Sequence, residues 1–340
     1  MRLIQFADRS HGRCLGVVSG DAVQNITDLD PSIASIYMAF RLARSRRIRL
    51  RTFLEELLAA SPGSKTVPYR ELLDAGRVLA PVVDEPGARV LVSGTGLTHL
   101  GSVQQRDQMH RAAELDAPKS PSQKMFEIGL QGGKPPQGQR GAAPEWFYKG
   151  DGRMLRGPGQ ALEIPGFAPD GGEEPEMVGV YALDDRGIPC RLGFTQGNEW
   201  SDHVTENINY LYLAPSKLRT CAIGPELVTD LAFNDIRGWC RVLREGQELY
   251  HSGELLTGEK HMSHSLSNLE DHLFKYSQHR QPGDIHVHFF GTSRLSFGHR
   301  KWVYENEDVV EVSFAGLGPS LKNPVLRQEP SDMPVATEIA

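Results

Sequence analysis

Residues 174–202 form the segment that most constrains how this chain folds, because they predict a β-hairpin. The first strand is the mostly apolar, β-favouring run from Met177 to Leu183. Turn residues 184–187 follow, and Gly187 can adopt the positive φ that tight turns often need. Residues 188–195 then predict a returning strand. The chain beyond this strand therefore comes back beside the residues that precede Met177.

Three glutamates meet at the open end of this predicted hairpin. Glu174 and Glu176 are two residues apart, so on a strand their side chains point to the same face. Glu199 follows the returning strand and lies next to them. Carboxylates gathered in this way repel one another unless a cation lies between them, and all-oxygen ligands favour Mg²⁺, Mn²⁺ or Ca²⁺ over zinc or copper. The alternative interpretation is a solvated strand face, on which this spacing also occurs.

The composition is that of an ordinary globular protein, and it narrows the possible partners. The chain has 340 residues, 39% hydrophobic and 24% charged, and its net charge of −6 argues against general nucleic-acid binding. Its cysteines are scattered without C-x-x-C spacing, which is typical of reduced thiols. It shows no signal-peptide core and no apolar run of about 20 residues, the length of a membrane span. We expect a cytoplasmic protein that binds neither nucleic acid nor membrane.

The hydrophobic patterns predict a small N-terminal α/β domain over residues 1–86, a larger domain over 87–325 and a loose C-terminal tail over 326–340. In the first domain, Asp30 followed by Pro31 predicts the start of a helix. No motif with recognisable chemistry occurs in this domain. We therefore expect the functional site in the second domain.

Some motifs in the second domain have a plain structural interpretation, which we favour. The segment 94–96 reads Gly-Thr-Gly but lacks the third glycine of a dinucleotide loop, so it predicts a tight turn. His261 and His264 are spaced like zinc ligands on a helix, but their polar neighbours predict an exposed helix. His286 and His288 alternate along a strand, and we expect them to pack against the sheet rather than line a pocket.

Five segments of the second domain stand in a recognisable order: EPEMVGVY, GFTQGNEWSD, SKLRTCAIGPEL, PGDIHVHFFGTSRLSFG and DVVEVSFAGLGPSLKNPV. They supply a Glu-x-Glu, a G-N-[DE]-x-S segment, a lysine ahead of Gly-Pro, a Gly-Thr after a strand, and a closing E-V-x-x-x-G-x-G with N-P. In this order they resemble the fumarylacetoacetate hydrolase superfamily, over about residues 88–325. The resemblance implies an α+β fold whose larger, catalytic domain is a mixed β-roll.

The resemblance also implies the residues of a site. Glu174, Glu176 and Glu199 become the ligands of a divalent metal, Mg²⁺ first, with Mn²⁺ or Ca²⁺ as alternatives. Catalytic roles fall on Glu199 and on Lys217, because a lysine beside a bound cation is favoured as the amine that a base requires. The implied substrate contacts are Lys149, Gly291, Thr292 and Ser293. The usual assembly of the family implies a homodimer or homotetramer.

Departures from the hydrolases of the superfamily indicate a different reaction. The stretch 96–102 carries Thr or Ser where the hydrolases have a metal-binding Asp and a water-activating His, and His99 stands at a different offset. The third carboxylate is Glu199 instead of the usual Asp, and Lys217 lies closer to the Gly-Pro than is usual. These features are similar to the branch that dehydrates 2-keto-3-deoxy sugar acids.

We therefore predict a magnesium-dependent hydro-lyase that acts on a pentonate-like 2-keto-3-deoxy sugar acid in sugar catabolism. Two alternatives stay open. One is a hydrolase or decarboxylase of the same superfamily that cleaves an acylpyruvate-like diketo acid. The other is a protein that binds a sugar acid without catalysis.

Residues 103–143 are the region that, by the resemblance, we expect to close in part over the site. Residues 103–118 predict a polar helix in which His110 and Glu114 are one turn apart, either as acid–base residues or on a solvated face. Residues 119–143 are rich in Gly, Pro and Gln and predict an irregular loop.

Overall fold

The computed structural model describes residues 1–83, 85–102, 104, 119–331 and 333–340. The strands are β1 (Arg2–Asp8), β2 (Gly12–Ser19), β3 (Ala22–Asn25), β4 (Thr66–Pro68), β5 (Val78–Leu79), β6 (Val90–Gly96), β7 (Glu145–Asp151), β8 (Leu155–Arg156), β9 (Leu162–Ile164), β10 (Pro175–Leu183), β11 (Pro189–Asn198), β12 (Cys221–Ile223), β13 (Leu227–Val228), β14 (Ile236–Arg244), β15 (Gln247–His251), β16 (Leu255–Thr257), β17 (Ile285–Phe289), β18 (Val309–Phe314) and β19 (Leu321–Arg327). The α-helices are α1 (Ile26–Leu29), α2 (Ile36–Ser45), α3 (Leu50–Ala59), α4 (Tyr69–Asp74), α5 (Pro121–Gly132), α6 (His203–Ile208), α7 (Leu213–Lys217) and α8 (Leu266–Phe274). Within the described ranges, no helix has both the length and the apolar character that crossing a membrane requires.

Two sheets organise the described strands and confirm the predicted α+β class. The larger sheet contains 13 strands, with the order β4-β3-β2-β1-β13-β11-β10-β17-β6-β7 along its main path. The smaller sheet contains six strands, in the order β15-β14-β18-β19-β9 with β16 paired to β14. Most neighbours are antiparallel, while β17 with β6, β12 with β8 and β19 with β9 are parallel. The sheets are therefore mixed, as the resemblance implies.

β10 is an interior strand of the larger sheet, and all nine of its residues are buried. Alternate side chains enter different cores because a strand points successive residues to opposite faces. Val178 and Val180 pack in a core that includes Phe40 of α2. Tyr181 points to the other face and packs edge-on against Phe274 of α8, with ring centroids 5.3 Å apart. The unbroken apolar run of β10 is thus the pattern of a strand covered on both sides.

The predicted hairpin is confirmed by the pairing of β10 with β11. The two strands are antiparallel, and the register places Glu176 opposite Gly197. Asp184 holds the turn, because its carboxylate accepts the backbone N–H groups of Arg186 and Ile188 at 3.0 and 2.9 Å. The strand ends that carry the glutamates are therefore fixed by a tight turn at the opposite end of the hairpin.

The N-terminal region continues the same sheet. β1 pairs with β13, which places β1 to β4 at one end of the larger sheet. The Tyr37 hydroxyl donates a hydrogen bond to the carbonyl of Gly283 at 2.8 Å, and Arg44 forms an ion pair with Asp184 at 2.7 Å. Residues 1–86 thus share a sheet and a hydrophobic core with later segments, and a domain boundary at residue 86 stays a prediction.

The helix that the sequence places at Asp30 begins six residues later, at Ile36. Its N-cap is Ser35, whose hydroxyl oxygen accepts the backbone N–H of Met38 at 3.1 Å. The Asp30 carboxylate instead accepts two hydrogen bonds from Ser32. The prediction was wrong because an aspartate that holds a local turn has the same sequence signature as a helix cap.

Residues 119–143 contain α5, where an irregular loop was predicted. Ser120 and Gln123 form a capping box at its start, with Pro121 in the first helical position. These starting signals outweigh the glycines that follow. Of the predicted helix over residues 103–118, His110 and Glu114 lie outside the described residues.

The predicted C-terminal tail begins slightly later than expected. Leu326 and Arg327 still belong to β19, and the backbone N–H of Gln328 donates to the carbonyl of Ile164 at 2.9 Å. Further on, Met333 is 82% exposed.

Because residues 1–86 share a core with the rest of the chain, we expect one cooperative unfolding transition. Tyr37→Phe removes the hydrogen bond to Gly283 and should lower the free energy of unfolding by about 1 kcal/mol. Urea unfolding followed by tryptophan fluorescence and by circular dichroism measures both quantities. Tyr148→Phe, at a 43% exposed tyrosine, is the matched control. Two separate transitions would show that the N-terminal region folds on its own.

Candidate metal centre

The open end of the β10–β11 hairpin brings the three predicted glutamates together. Glu174 precedes β10, Glu176 is its second residue, and Glu199 follows β11. The backbone N–H of Glu199 donates to the carbonyl of Glu174 at 2.9 Å, and the Asn198 side chain accepts the N–H of Glu174 at 3.0 Å. One carboxylate oxygen from each glutamate lies within 4.8 Å of the others, and all three residues are buried. The strand pairing itself therefore creates the cluster.

Two buried lysines lie against this cluster. Lys217 Nζ is 2.5 Å from Oε1 of Glu174 and 2.9 Å from Oε2 of Glu199. Lys149 Nζ is 2.8 Å from Oε1 of Glu199, and it also donates to the carbonyls of Trp200 and Lys217 at 2.5 and 2.9 Å. Buried charges are tolerated when they are paired in this way. The structure thus brings both predicted lysines to the carboxylates.

Glu176 is the carboxylate of the cluster that lacks a cationic partner. Its Oε2 accepts the backbone N–H of Gly291 at 2.7 Å, but no lysine or arginine of the described residues forms an ion pair with it. Burial, followed by repulsion from Glu199 and Glu174, raises the pKa of Glu176 well above its usual value. Carboxylate oxygens are the hard donors that Mg²⁺ prefers, so these three residues fit that ion.

The environment of Glu174 shifts its pKa in the opposite direction. Burial raises the pKa, but the charge of Lys217 and the hydrogen bond from His203 outweigh it, and the pKa lies well below the usual value. For Lys217, burial lowers the pKa, but the charges of the Glu174 and Glu199 carboxylates raise it by more. The net effect is a raised pKa, so the ammonium form is favoured. The amine form expected of a base beside a bound cation therefore stays a prediction.

The segment after β17 meets the cluster through its backbone. Gly291 has a φ of +93°, and a Cβ atom there would lie 2.2 Å from Oγ1 of Thr98. Only glycine therefore lets this N–H reach Glu176. The buried Thr292 hydroxyl donates to the carbonyl of Arg294 at 3.0 Å. Ser293 lines a cavity of about 350 Å³ whose described wall residues include none of the three glutamates. The structure brings Gly291 into contact with a carboxylate, and the substrate contacts predicted for Lys149, Gly291, Thr292 and Ser293 stay predictions.

His203 is a member of the site that the sequence analysis missed. Its Nε2 lies 2.9 Å from Oε1 of Glu174. The residue begins α6, whose N-cap is Asp202, with a side-chain oxygen that accepts the N–H of Thr205 at 3.0 Å. The Asp-x-x-Thr pattern directly after Glu199 signals this cap, and it would have placed the histidine on a helix leaving the cluster.

His99, His264 and His272 are buried histidines for which the structure shows no contact with the three glutamates. Both ring nitrogens of His99 form hydrogen bonds, Nδ1 with the hydroxyl of Thr98 and Nε2 with the hydroxyl of Thr257. Burial lowers the pKa of His99 to about 3. His264 and His272 are buried, so the prediction of an exposed helix was wrong. Within the described ranges, the three glutamates form the one group of metal-ligating side chains close enough to share an ion.

The favoured interpretation of the strand histidines is consistent with the structure. His286 and His288 of β17 are both buried, and Nδ1 of His288 lies 2.9 Å from the hydroxyl of Ser93 on β6. Burial lowers the pKa of both histidines to about 3, which favours neutral rings. The two residues pack against the sheet.

A cavity of about 460 Å³ opens at the same edge of the sheet as the glutamates. It lies beside Leu97, which follows β6, and Glu145, which begins β7. β6 runs parallel to β17, so both strands end at the same edge of the sheet. β10 is antiparallel to β17, so the start of β10, which carries Glu176, lies at that edge too. The remaining lining residues are Ser120, Pro121, Ser122, Met125, Glu206, Ile208, Asn209, Tyr210 and Leu213. The volume suits a small organic acid.

Solved structures share this fold along nearly the whole chain, although no family model and no curated protein matches the sequence. A 2-keto-3-deoxy-D-arabinonate dehydratase in its apo form is 20% identical with a TM-score of 0.68, over 97% of this chain and 100% of that chain. A 2-keto-3-deoxy-D-arabinonate dehydratase complexed with magnesium and 2,5-dioxopentanoate is 19% identical with a TM-score of 0.67, over the same shares. A 5-carboxymethyl-2-hydroxymuconate delta-isomerase from Mycobacterium smegmatis is 19% identical with a TM-score of 0.55, over 96% and 100%. The resemblance seen in the sequence is thus confirmed for the fold.

Removing one lysine from the metal-free cluster should destabilise the protein strongly. Lys149→Met leaves the Glu199 carboxylate with one cation fewer, and we expect a loss of about 3–5 kcal/mol in the free energy of unfolding. Urea unfolding in the presence of EDTA measures it. The control is Lys260→Met, which breaks an exposed pair with Asp235 and should cost less than about 1 kcal/mol. Equal losses in both variants would contradict the buried pairing.

Glu176→Gln should stabilise the metal-free protein at about pH 8 and have little effect near pH 5. A carboxyl whose pKa is raised by folding is favoured in its protonated form, so stability is highest at low pH and falls as pH rises through the raised pKa. The glutamine variant escapes that loss. Thermal unfolding in EDTA measures the difference. Adding Mg²⁺ should raise the midpoint of the wild type but not that of the variant. A variant that is less stable than the wild type at about pH 8 would contradict the shift.

Proposed function

We propose that this protein is a magnesium-dependent dehydratase of a pentonate-like 2-keto-3-deoxy sugar acid. The charge of the buried site carries this proposal. Three carboxylates and two ammonium groups leave one excess negative charge. A bound divalent cation would change the net charge of the site from −1 to +1. The carboxylate of one keto acid would then bring the net charge to zero. Buried sites near electrical neutrality are the ones that a protein tolerates at least cost.

Glu174, Glu176 and Glu199 would hold the metal ion. When bound, Mg²⁺ supplies Lewis-acid polarisation of the C1 carboxylate and the C2 ketone, which makes the C3 proton more acidic. Support comes from the dehydratase of the same fold that was solved with magnesium and 2,5-dioxopentanoate. That compound is the semialdehyde expected when a 2-keto-3-deoxypentonate loses water and tautomerises.

The two lysines have different parts in this proposal. The three protons of Lys149 are used by Glu199 and two carbonyl groups, so this residue fixes charge and geometry. Lys217 has two protons on carboxylates, and its Nζ lies 4.8 Å from the ring centroid of Phe147. We assign Lys217 to receive the C3 proton, and for this role the ammonium group counted above first has to release one proton when the metal ion and the keto acid bind. Glu199, which contacts both lysines, sets their positions.

Hydrolysis of a diketo acid, the main alternative, needs a base that activates water. Among the described residues, His203 is the histidine that contacts the cluster, and its second ring nitrogen faces the wrong way for this task. A Cβ atom added to Gly172 would lie 2.1 Å from Nδ1 of His203, so this nitrogen points at the backbone. The other nitrogen is held by Glu174. The geometry therefore favours the dehydratase.

Incubation with 2-keto-3-deoxypentonates and Mg²⁺ should release 2-oxoglutarate semialdehyde, and EDTA should abolish the release. Glu176→Gln should lower the turnover more than about 100-fold, because it removes a ligand from a centre worth several kcal/mol. An aldehyde-trapping assay measures the product, and circular dichroism checks the fold.

Three results would contradict the proposal. Full activity of Glu176→Gln would remove the metal centre from the reaction. Release of pyruvate from an acylpyruvate, without semialdehyde from any sugar acid, would assign the protein to the hydrolases. Tight binding of the sugar acid with no turnover would assign it to the non-catalytic binding proteins.

A further inference from the structure

A fourth buried glutamate, Glu173, directly precedes the three that form the metal cluster. It is 1% exposed. Its Oε1 accepts the backbone N–H of Ser296 at 2.5 Å, and its Oε2 accepts the hydroxyls of Ser296 and Tyr304 at 2.9 and 2.5 Å. No lysine, arginine or histidine in the described part of the chain forms an ion pair with it. Both oxygens of this carboxylate therefore serve as hydrogen-bond acceptors.

The backbone directs Glu173 away from the three ligands. The pairing of β10 with β11 continues beyond these strands, because the backbone N–H of Ser201 donates to the carbonyl of Gly172 at 3.0 Å and the two residues form a β-bridge. Successive side chains of an extended segment point to opposite faces, so Glu173 faces away from Glu174. Glu173 is accordingly outside the group of described carboxylates that can share an ion. Its route to the metal centre runs through its hydrogen-bond partners.

The first of these routes leads to Glu176. The backbone N–H of Gly291 donates to Oε2 of Glu176 at 2.7 Å. Five residues later in the same segment, Ser296 is bound to Glu173 through both its backbone N–H and its hydroxyl. Residues 291–296 have no regular secondary structure, so the position of this segment depends on such side-chain anchors. Glu173 thereby holds the N–H group that binds one of the three glutamates.

The second route leads to Glu199. The ring of Tyr304 packs edge-on against Trp200, with ring centroids 4.8 Å apart, and both residues are fully buried. Trp200 directly follows Glu199, and its carbonyl accepts a hydrogen bond from Lys149, the lysine that pairs with Glu199. By holding the Tyr304 hydroxyl, Glu173 fixes the ring on which Trp200 rests. The surroundings of the third glutamate therefore depend on it as well.

A carboxylate is the side chain that suits this position. Three donors meet the two oxygens of Glu173. An ionised carboxylate accepts at both oxygens, whereas an amide of the same size turns an NH₂ group towards some of these donors. Hydrogen bonds to a charged acceptor are also about twice as strong as those between neutral groups. Glu173 is thus a firm anchor, and a glutamine in its place is a weaker one.

We propose that Glu173 is a positioning residue for the metal centre. This inference rests on the proposed function, because it takes Glu174, Glu176 and Glu199 as the metal ligands. Glu173 fixes the Gly291 segment beside Glu176 and the Tyr304 ring beside Glu199, and so keeps the ligand oxygens at the separation that the ion requires. Mg²⁺ demands nearly ideal octahedral geometry, so small displacements of its ligands weaken binding. Residues that orient metal ligands commonly contribute about 10- to 100-fold to the affinity.

The test measures metal affinity without requiring turnover. Mn²⁺ binding is followed by electron paramagnetic resonance, with Mg²⁺ as the competitor. Glu173→Gln should weaken the binding of both ions about 10- to 100-fold. Tyr304→Phe removes one donor and keeps the ring against Trp200, and it should weaken binding about fivefold or more, in the same direction. Hydrogen–deuterium exchange at Gly291 should become faster in both variants, because the segment loses an anchor.

The matched control is Tyr181→Phe. The buried Tyr181 hydroxyl also donates to a glutamate, Glu270, at 2.9 Å. Both tyrosine variants should lose similar free energy of unfolding in EDTA, but Tyr181→Phe should bind Mn²⁺ within about twofold of the wild type. Adding Tyr304→Phe to Glu173→Gln should weaken binding less than it does in the wild type, because the hydroxyl acts through Glu173.

The outcomes separate this inference from the proposed function. Wild-type Mn²⁺ affinity in both Glu173→Gln and Tyr304→Phe, with or without a loss of stability, would overturn the inference and leave the proposed function standing. If Glu173→Gln does not fold, Tyr304→Phe decides the question. Weaker binding in the variants of a protein that dehydrates no keto acid would support the inference and contradict the proposed function. A wild type that binds neither ion would contradict both.

Discussion

Charge pairing at one end of the β10–β11 hairpin is the interaction on which the rest of this structure depends. Three carboxylates buried within 4.8 Å of one another would repel strongly in a medium of low dielectric constant. Lys217 and Lys149 offset most of that repulsion, and no lysine or arginine in the described part of the chain pairs with Glu176. Several strands and helices contribute residues to this cluster, so the site depends on the whole fold.

Rigid elements hold the charged groups in position. β10 is covered by hydrophobic side chains on both faces, so Glu176 is fixed by the strand itself. Lys149 comes from β7, and Gly291 follows β17, two strands of the same sheet. α6 carries His203 against Glu174 and Glu206 into the cavity wall. A site built from strand ends and two short helices, α6 and α7, keeps its geometry better than a site built from loops.

The errors of the sequence analysis have identifiable physical causes. Asp30 has the signature of a helix cap, but its carboxylate is used by Ser32 in a local turn. The polar neighbours of His264 suggested an exposed helix, whereas contacts distant in sequence bury the residue. His203 was missed because its place in the site depends on a tertiary contact. Its partner, Glu174, is 29 residues away in the sequence. Propensity and periodicity describe neighbours along the chain and carry no information about such contacts.

The sequence by itself determined the hairpin, the convergence of Glu174, Glu176 and Glu199, and the α+β class. The first two follow from short-range rules, which are the period of two along a strand and the turn residues at its end, whereas the α+β class was implied by the resemblance of five ordered segments to a known superfamily. Only the tertiary structure decided which cations meet those carboxylates, that Gly291 serves Glu176 through its backbone, and which side of α6 faces the cavity. Those outcomes depend on the relative placement of elements far apart in the chain, and that placement is set by the packing of two cores and the pairing of distant strands.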